Sequence, residues 1–457
     1  MLPALKPAVA DQPRSETENA PSVGPNQTPT DTELQKPAEV EKPAEPKRPP
    51  WYSVHEQGTI VTQKHDEFTS PYIGPFSLLP KEPSATTETA TLFFDTKLWS
   101  GADLVFNPEI SGGTGFSGTS GIAGFPNGEA TRVGVVQPTP YVARLFLRQV
   151  WGFEGESEKV EDDANLIAGV RDVNRLTFMI GKLSAEDVVD NNLYSHDPRT
   201  QLLNWSLMYN GAWDYPANVR GYTYGLAFDF NTYYWAWRYG IFAEPAFANG
   251  APIDPHWLKA NGQVMELEER YWLGDLPGHV RELIYLNHAH MGNYGEALAE
   301  SPVNPDVAAT RVYRFKYGCG LSWDQQLTAE LGAWGRLGWN DGHTESWAFT
   351  PIDRTAALGL LLRGKLWHRA DDTIGLAGVI NGLDGAHRHY LAAGGLDFNI
   401  GDGRLNYAPE EILEAFYNWQ LVKGINVSLD TQFVNHPAYN ADRGPVFIWG
   451  MRVHFEH

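Results

Sequence analysis

Hydrophobic and polar side chains alternate along much of the chain beyond residue 51 with a period of two, the period of a β-strand. In Ile425–Phe433, the residues Ile425, Val427, Leu429 and Phe433 share one face, and Asn426, Ser428, Asp430 and Gln432 share the other. Near the C-terminus, Phe447, Trp449, Met451, Val453 and Phe455 oppose Arg452 and His454. Tyr222, Tyr224, Leu226, Phe228 and Phe230 oppose Thr223, Asp229 and Asn231. Leu327–Leu337 sets Leu327, Ala329, Leu331, Ala333 and Leu337 against Thr328, Glu330, Trp334 and Arg336. The pattern predicts strands with one apolar and one strongly polar surface, and so an all-β fold.

Two architectures use such strands. A soluble sandwich buries the apolar faces in a core. A transmembrane antiparallel β-barrel turns them to lipid and its polar faces to a wet lumen. The segments reach the ~9–11 residues that a tilted strand needs to cross a bilayer, whereas sandwich strands run nearer ~5–6. Aromatic residues stand at strand ends (Trp99, Trp151, Trp339, Trp367, Phe455), where an interfacial girdle would need them. Short turns alternate with long Gly/Pro/Asn/Asp stretches such as Phe106–Pro140 and Asn287–Arg311. Length and girdle favour the barrel.

Parity then assigns the inward positions. They are Asp95, Lys97, Arg144, Arg148, Asp229, Arg314, Lys316, Glu330, Arg336, Arg363, Lys365, Glu414, Asp430 and Arg452. An Arg or Lys turned to lipid at the midplane would cost about 2–4 kcal/mol, so charges on one face argue for water on that face. Opposed signs across a lumen create a transverse field and offer many hydrogen-bond partners to a polyhydroxylated solute; any single charge also reads as plain solvation of the lumen. Sugar rings stack on aromatic faces, which makes Trp213, Tyr233, Trp235, Trp237 and Trp334 candidate stacking residues. For the cluster Tyr233–Tyr239 two readings stay open, a sugar path or an interfacial belt. Parity continued from Phe230 turns Tyr234 outward, and a bulge would reverse this.

Composition removes other classes. The 457 residues carry 35 Lys+Arg against 56 Asp+Glu, a net charge of −21, which argues against a nucleic-acid partner. Sixteen Trp, 20 Tyr and 21 Phe in a chain only 42% hydrophobic suit interfaces more than a conventional core. The single Cys319 excludes an intramolecular disulfide, and no apolar run approaches the ~18 residues of a membrane helix. His288 with His290, and His387 with His389, lack a carboxylate at metal-site spacing, so no metal site and no cofactor are expected, and the histidines read as solvated. No nucleophile elbow or phosphate loop is present, and nothing selects a catalytic pair from the 56 acids; an enzyme is not expected.

Residues 1–50 hold 11 of the 31 prolines and no aromatic residue, which predicts a disordered Pro/Glu/Lys-rich tail. Ala8-Val9-Ala10 has the form of a signal-peptidase site, so residues 1–10 read as the remnant of an export signal. Residues 51–90 read as an extension leading into a barrel of residues 91–457.

Ordered motifs carry a family likeness. They are Phe106-Asn107-Pro108-Glu109, Gly124-Phe125-Pro126-Asn127-Gly128-Glu129 and Arg144-Leu145-Phe146-Leu147-Arg148-Gln149 with Trp151. Gly181-Lys182, Asp190-Asn191-Asn192, Ser195-His196-Asp197-Pro198-Arg199-Thr200-Gln201, Asn204-Trp205 and Ala212–Asn218 with Arg220-Gly221-Tyr222 follow in order. Over about residues 60–457 the chain resembles the carbohydrate-selective porins of the OprB type. The resemblance implies a barrel of 16 strands in the bacterial outer membrane, passing small sugars and other small solutes by diffusion, in contact with outer-membrane lipid and able to form a homo-oligomer. Within the loop motifs, Asn127, Glu129, Arg132, Asp197 and Arg199 are candidate residues, since Pro-Asn-Gly and Asp-Pro-Arg suit either constriction loops that fold inward or bends that brace the barrel mouth. Alternatives are a porin for divalent metal ions or general solutes, and, from other classes, an envelope sugar-binding protein or a β-rich glycoside hydrolase. One departure is the C-terminus, where Glu456-His457 follow Phe455.

Overall fold

The structure, a computed structural model, describes residues 50–130 and 136–457. The expected tail and signal remnant (residues 1–49) and Arg132 lie outside the described residues. The strands are β1 (Tyr52–His65), β2 (Ala85–Trp99), β3 (Ala102–Gly113), β4 (Thr139–Gly152), β5 (Ser157–Val160) and β6 (Gly169–Asp172). They continue as β7 (Arg175–Leu183), β8 (Thr223–Asn231), β9 (Trp235–Ala243), β10 (Asn261–Leu273), β11 (Leu276–Met291) and β12 (Val312–Gln326). The last are β13 (Leu331–Asn340), β14 (Arg354–Arg363), β15 (Thr373–Gly382), β16 (Glu410–Val422), β17 (Ile425–Asn435) and β18 (Val446–Glu456). Among the described residues, three short α-helices sit in connections: α1 (Trp205–Met208), α2 (Tyr294–Glu300) and α3 (Gly385–Ala392).

Among the described residues, sixteen strands form a closed antiparallel barrel, and β5 and β6 form a separate two-stranded ladder. Closure joins β1 to β18, with Ile60 opposite Val453 and Gln57 opposite Glu456. Residues 51–90, expected as an extension, therefore contain β1 and the start of β2 and belong to the wall. The strand was hidden because the outward face of β1 carries Glu56, Thr62 and Lys64 beside Val54 and Ile60, so its alternation is weak. The stretch Leu327–Glu330 is also not wall. Thr328 caps a tight turn there, its hydroxyl accepting the Glu330 and Leu331 amides at 3.2 and 3.0 Å, and β13 starts at Leu331.

Elsewhere the alternation holds. In β14, Ala356, Leu358 and Leu360 face out, while Thr355, Ala357 and Leu361 face in. Short turns such as Ser100–Gly101, Gly274–Asp275 and Lys423–Gly424 lie at one end with both barrel termini and the longer Phe153–Asn174 connection, and the other long connections lie at the opposite end. These long connections fold inward. Ser184–Tyr222, between β7 and β8, runs through the interior and is mostly buried.

A buried loop must find partners for its backbone amides, and the wall supplies them. Glu410 accepts the Ala123 and Gly124 N–H groups at 2.9 and 2.8 Å. Glu414 accepts those of Leu203 and Asn204 at 2.6 and 2.9 Å. Glu266 accepts the Asp190 N–H at 2.7 Å. Arg336 donates to the Asp190 carboxylate (2.9 Å) and to the Leu207 and Ser195 carbonyls (2.9 and 2.6 Å). Arg452 donates to the Pro198 and Gln201 carbonyls at 2.5 and 2.8 Å. Within the loops, Asp214 accepts the amides of Trp347, Ala348 and Phe349 (2.7, 2.8 and 3.2 Å) and pairs with Lys316 of β12 at 3.2 Å.

At the loop end, α2 and α3 meet over a buried charge cluster. His387, expected as a solvated loop histidine, lies in α3 with its ring nitrogens 3.0 Å from both Asp353 and Asp397, and Tyr294 donates to Asp397 at 2.7 Å. Burial opposes the imidazolium, but the two carboxylates outweigh it and raise the pKa from 6.5 to about 9. The stabilisation from this pairing is complete below about pH 6.5 and is lost as pH rises through about 9. Amide exchange in Gly385–Ala392, corrected for its intrinsic pH dependence, should therefore accelerate across that window, and H387N should remove the step. A flat profile would show that the pairing does not hold the loops.

Candidate functional site

The inward loops cover much of the wall from β12 to β18 and leave one continuous cavity of about 1540 Å³ against the opposite side. Lining it is a cluster of carboxylates and guanidinium groups, here called the eyelet, built from the wall and two loops. From β3, Glu109 accepts the Thr91 hydroxyl at 2.6 Å and the Tyr141 hydroxyl. Glu129 stands on the connection after β3, presented by an Asx turn in which the Asn127 side chain accepts its amide at 3.0 Å. Thr89 donates to Glu129 at 2.7 Å. Arg199 is presented the same way: Asp197 accepts its amide at 2.9 Å and the Thr200 hydroxyl at 2.9 Å. Its guanidinium reaches Glu129 at 3.1 Å and Glu109 at 3.6 Å. Beside it, Arg144 of β4 makes a two-pronged pair with Asp187 at 2.6 and 2.7 Å, and Arg220 lies over the Tyr141 ring at 4.1 Å.

Charge states on the loops follow from these neighbours. Burial works against the Arg199 charge, yet Glu129 and Glu109 outweigh it and hold its pKa well above the ordinary value. Burial likewise pushes Asp187 up, and Arg144 more than reverses this, so that carboxyl stays ionised. For Glu186 burial prevails and its pKa rises well above 4.5; for His196 burial lowers the pKa to about 4. The cavity thus presents fixed ions at the eyelet and a neutral imidazole beside it at neutral pH.

An aromatic wall flanks the eyelet. Trp205 stacks on Phe125 at 5.0 Å and on Phe349 at 5.2 Å, and Phe349 stacks on Tyr215 at 4.5 Å. Tyr209 meets the Trp205 ring edge-on at 5.8 Å, and all five rings border the cavity. Across from them, Arg238 bridges Glu266 and Glu268 (2.7 and 3.0 Å), and Arg281 bridges Glu268 and Asp324 (2.8 and 2.5 Å).

Measured against parity, the cavity takes Lys97, Arg144, Arg148, Asp229, Glu129, Asp197, Arg199 and Tyr233. Asp95 lies behind Arg148, 2.8 Å from its guanidinium. Lys316, Arg336, Glu414, Asp430 and Arg452 do point inward but are almost fully buried under the loops. Arg336, Glu414 and Arg452 bind loop backbone, Lys316 pairs with Asp214 and Asp430 meets Gln432, since alternation reports the inner side of a wall but not what covers it. Arg314 pairs with Glu296 of α2 at 2.8 Å. Glu330 and Lys365 sit in neighbouring turns 3.3 Å apart, outside the strands, and Arg363 is the exposed last residue of β14.

Among the stacking candidates, Trp213 and Trp334 are fully buried. Trp235 and Trp237 face outward, because the turn after Asn231 restarts the alternation and pairs Phe230 with Trp237 on one outer face. The belt reading of these residues is the one their placement fits. Asn127 lies beside the cavity as the residue that orients Glu129. Sequence reasoning missed Glu109, Asp187, Trp205, Tyr209, Tyr215 and Tyr222, and the alternation put Tyr222 on the outward face; Glu109, Trp205, Tyr215 and Tyr222 lie inside the ordered motifs, which is the signal that could have found them.

The model of the OprB carbohydrate-selective porin family matches residues 92–457. The chain belongs to this family. It is an outer-membrane porin for passive diffusion of carbohydrates, a channel and not an enzyme. No curated protein matches the chain. Among solved structures, the high-pH structure of OprB from Pseudomonas putida is similar with a TM-score of 0.65 at 14% identity, over 89% of this chain and 94% of that one. The DcaP outer-membrane channel of Acinetobacter baumannii follows at 0.49 and 9%, over 89% and 97%. In a porin, short turns face the periplasm and long loops the exterior. The loops that carry Glu129 and Arg199 to the eyelet of this porin therefore enter from outside.

Proposed function

We propose that a neutral monosaccharide crosses this porin past the eyelet, its hydroxyls hydrogen-bonding to the paired Arg199, Glu129 and Glu109 and to the neighbouring Arg144. Its C–H face passes the edges of Trp205, Tyr209, Tyr215 and Phe349 that border the cavity. The observation that carries this reading is the pairing of fixed opposite charges with a ring wall on one cavity: the first offers donors and acceptors to a polyol, the second an apolar surface. The outward Leu, Ile, Phe and Trp side chains form the contact with lipid in this reading.

Liposome swelling tests it. Purified porin should admit glucose quickly and a disaccharide slowly, and glucose should reduce the ion current. Trp205→Ala should slow glucose severalfold while leaving the KCl conductance equal or higher. Folded, detergent-stable protein that conducts ions but admits glucose no faster than a disaccharide would overturn the reading.

A further inference from the structure

One periplasmic connection departs from the short-turn rule. Between β4 and β7, residues Phe153–Asn174 carry the β5–β6 hairpin, whose segment Ala164–Ile167 turns up into the barrel. Asn165, Leu166 and Ile167 are buried, an unusual state for a porin's periplasmic turn. The tip is tied to the wall at depth. The Arg148 guanidinium donates to the Asn165 carbonyl at 2.9 Å, and the Asn107 amide donates to the Asn165 side chain at 2.7 Å. Asn107 is the register partner of Arg144, the eyelet arginine. Segments entering from opposite ends of the barrel therefore meet at one rung. Lower down, Glu158 accepts Arg175 at 2.9 Å and Asp162 approaches His55 of β1 at 3.3 Å, so the hairpin crosses from β7 over β4 and β3 to β1.

We propose that Phe153–Asn174 is a second selectivity element of the pore: a fixed constriction from the periplasmic side that sets solute size below the eyelet and disfavours anionic sugars at the exit. The steric part follows from the placement of the tip, because the hairpin borders the cavity along most of its length. The charge part follows from composition. Glu154–Asp172 holds seven carboxylates against Lys159 and Arg171, a net of −5, whereas the ions of the eyelet and of the opposite wall largely pair with one another. Glu156 and Asp163 border the cavity and are exposed, so their charge acts on solute through water in a confined mouth. A sugar acid or sugar phosphate would meet repulsion there that a neutral hexose does not.

Two variants test this in the full chain. Replacing residues 157–171 by Asn-Gly should raise single-channel conductance about twofold or more and let a disaccharide swell liposomes at a rate approaching that of glucose. The triple variant E156Q/E161Q/D163N touches exposed side chains only and leaves the Asp162–His55 contact in place. It should keep glucose flux while lowering the cation-to-anion permeability ratio severalfold and accelerating entry of glucuronate. If the shortened porin keeps the wild-type conductance and size limit, or the charge variant keeps the wild-type reversal potential, the proposal fails. Glucose entry through Trp205→Ala and Arg199→Ala, which leave the hairpin intact, reads the eyelet assignment separately, so the two readings can fail independently.

Discussion

Arg199→Ala should slow glucose entry about 10- to 100-fold and turn the pore strongly cation-selective. The guanidinium is the cation that faces both Glu129 and Glu109, at 3.1 and 3.6 Å. A charge-assisted hydrogen bond is worth about 1.5–3 kcal/mol, and every 1.4 kcal/mol is tenfold, which gives the expected range for loss of one sugar contact. The two carboxylates would remain, held by Thr89, Thr91 and Tyr141, so the gap would change from balanced to acidic. Reversal potentials in a KCl gradient and swelling in isotonic glucose read the two effects. Arg199→Lys is the informative control: it keeps the charge and loses the planar fork, so ion selectivity should stay near wild type while glucose entry falls. Unchanged glucose entry in Arg199→Ala would remove this residue from the sugar path.

The second large effect is expected at Asp214, which contributes no surface to the pore. Asp214→Ala would strip the acceptor from three backbone amides, Trp347, Ala348 and Phe349, and leave the Lys316 ammonium buried without its 3.2 Å partner. Removing one member of a buried ion pair costs about 3–5 kcal/mol, because the remaining charge is stranded. The barrel ladders do not depend on this contact, so the loss should fall on the inward loops. The expected result is a barrel that still resists denaturation in detergent but conducts more, with disaccharide now admitted. Lys316→Met together with Asp214→Asn should recover part of the size limit, since it removes the stranded charge and keeps an amide oxygen to accept. A wild-type size limit in Asp214→Ala would show that the loop is held by other contacts.

The comparison of these two residues shows where the sequence was informative. Arg199 lies in Ser195–Gln201, a motif whose Asp-Pro turn suited either an inward loop or a brace at the mouth, and the structure seats it at the eyelet. Lys316 was equally legible as inward, yet it faces Asp214 under a loop. Trp205 and Tyr215 form the aromatic wall but sit in a segment with no strand periodicity, so nothing in their spacing revealed a shared surface. Tyr233, Trp235 and Trp237 were conspicuous as a cluster, and two of the three face outward because one turn restarts the alternation.

The alternation alone placed most of the strands' charges on their inner face and most of their apolar residues on the outer one, while the rings inside, Trp205 and Tyr215 among them, stand on loops that carry no alternation. The reason is that strand alternation is local: each residue's face depends only on its neighbours one and two positions away. Tertiary structure alone decided which inward charges meet water. The loops that fill one side of the lumen come from residues tens to hundreds of positions distant, as Glu414 does when it holds Leu203 and Asn204. A buried loop needs partners for its amides and carbonyls, and the wall's ions supply many of them; what remains uncovered is the pore.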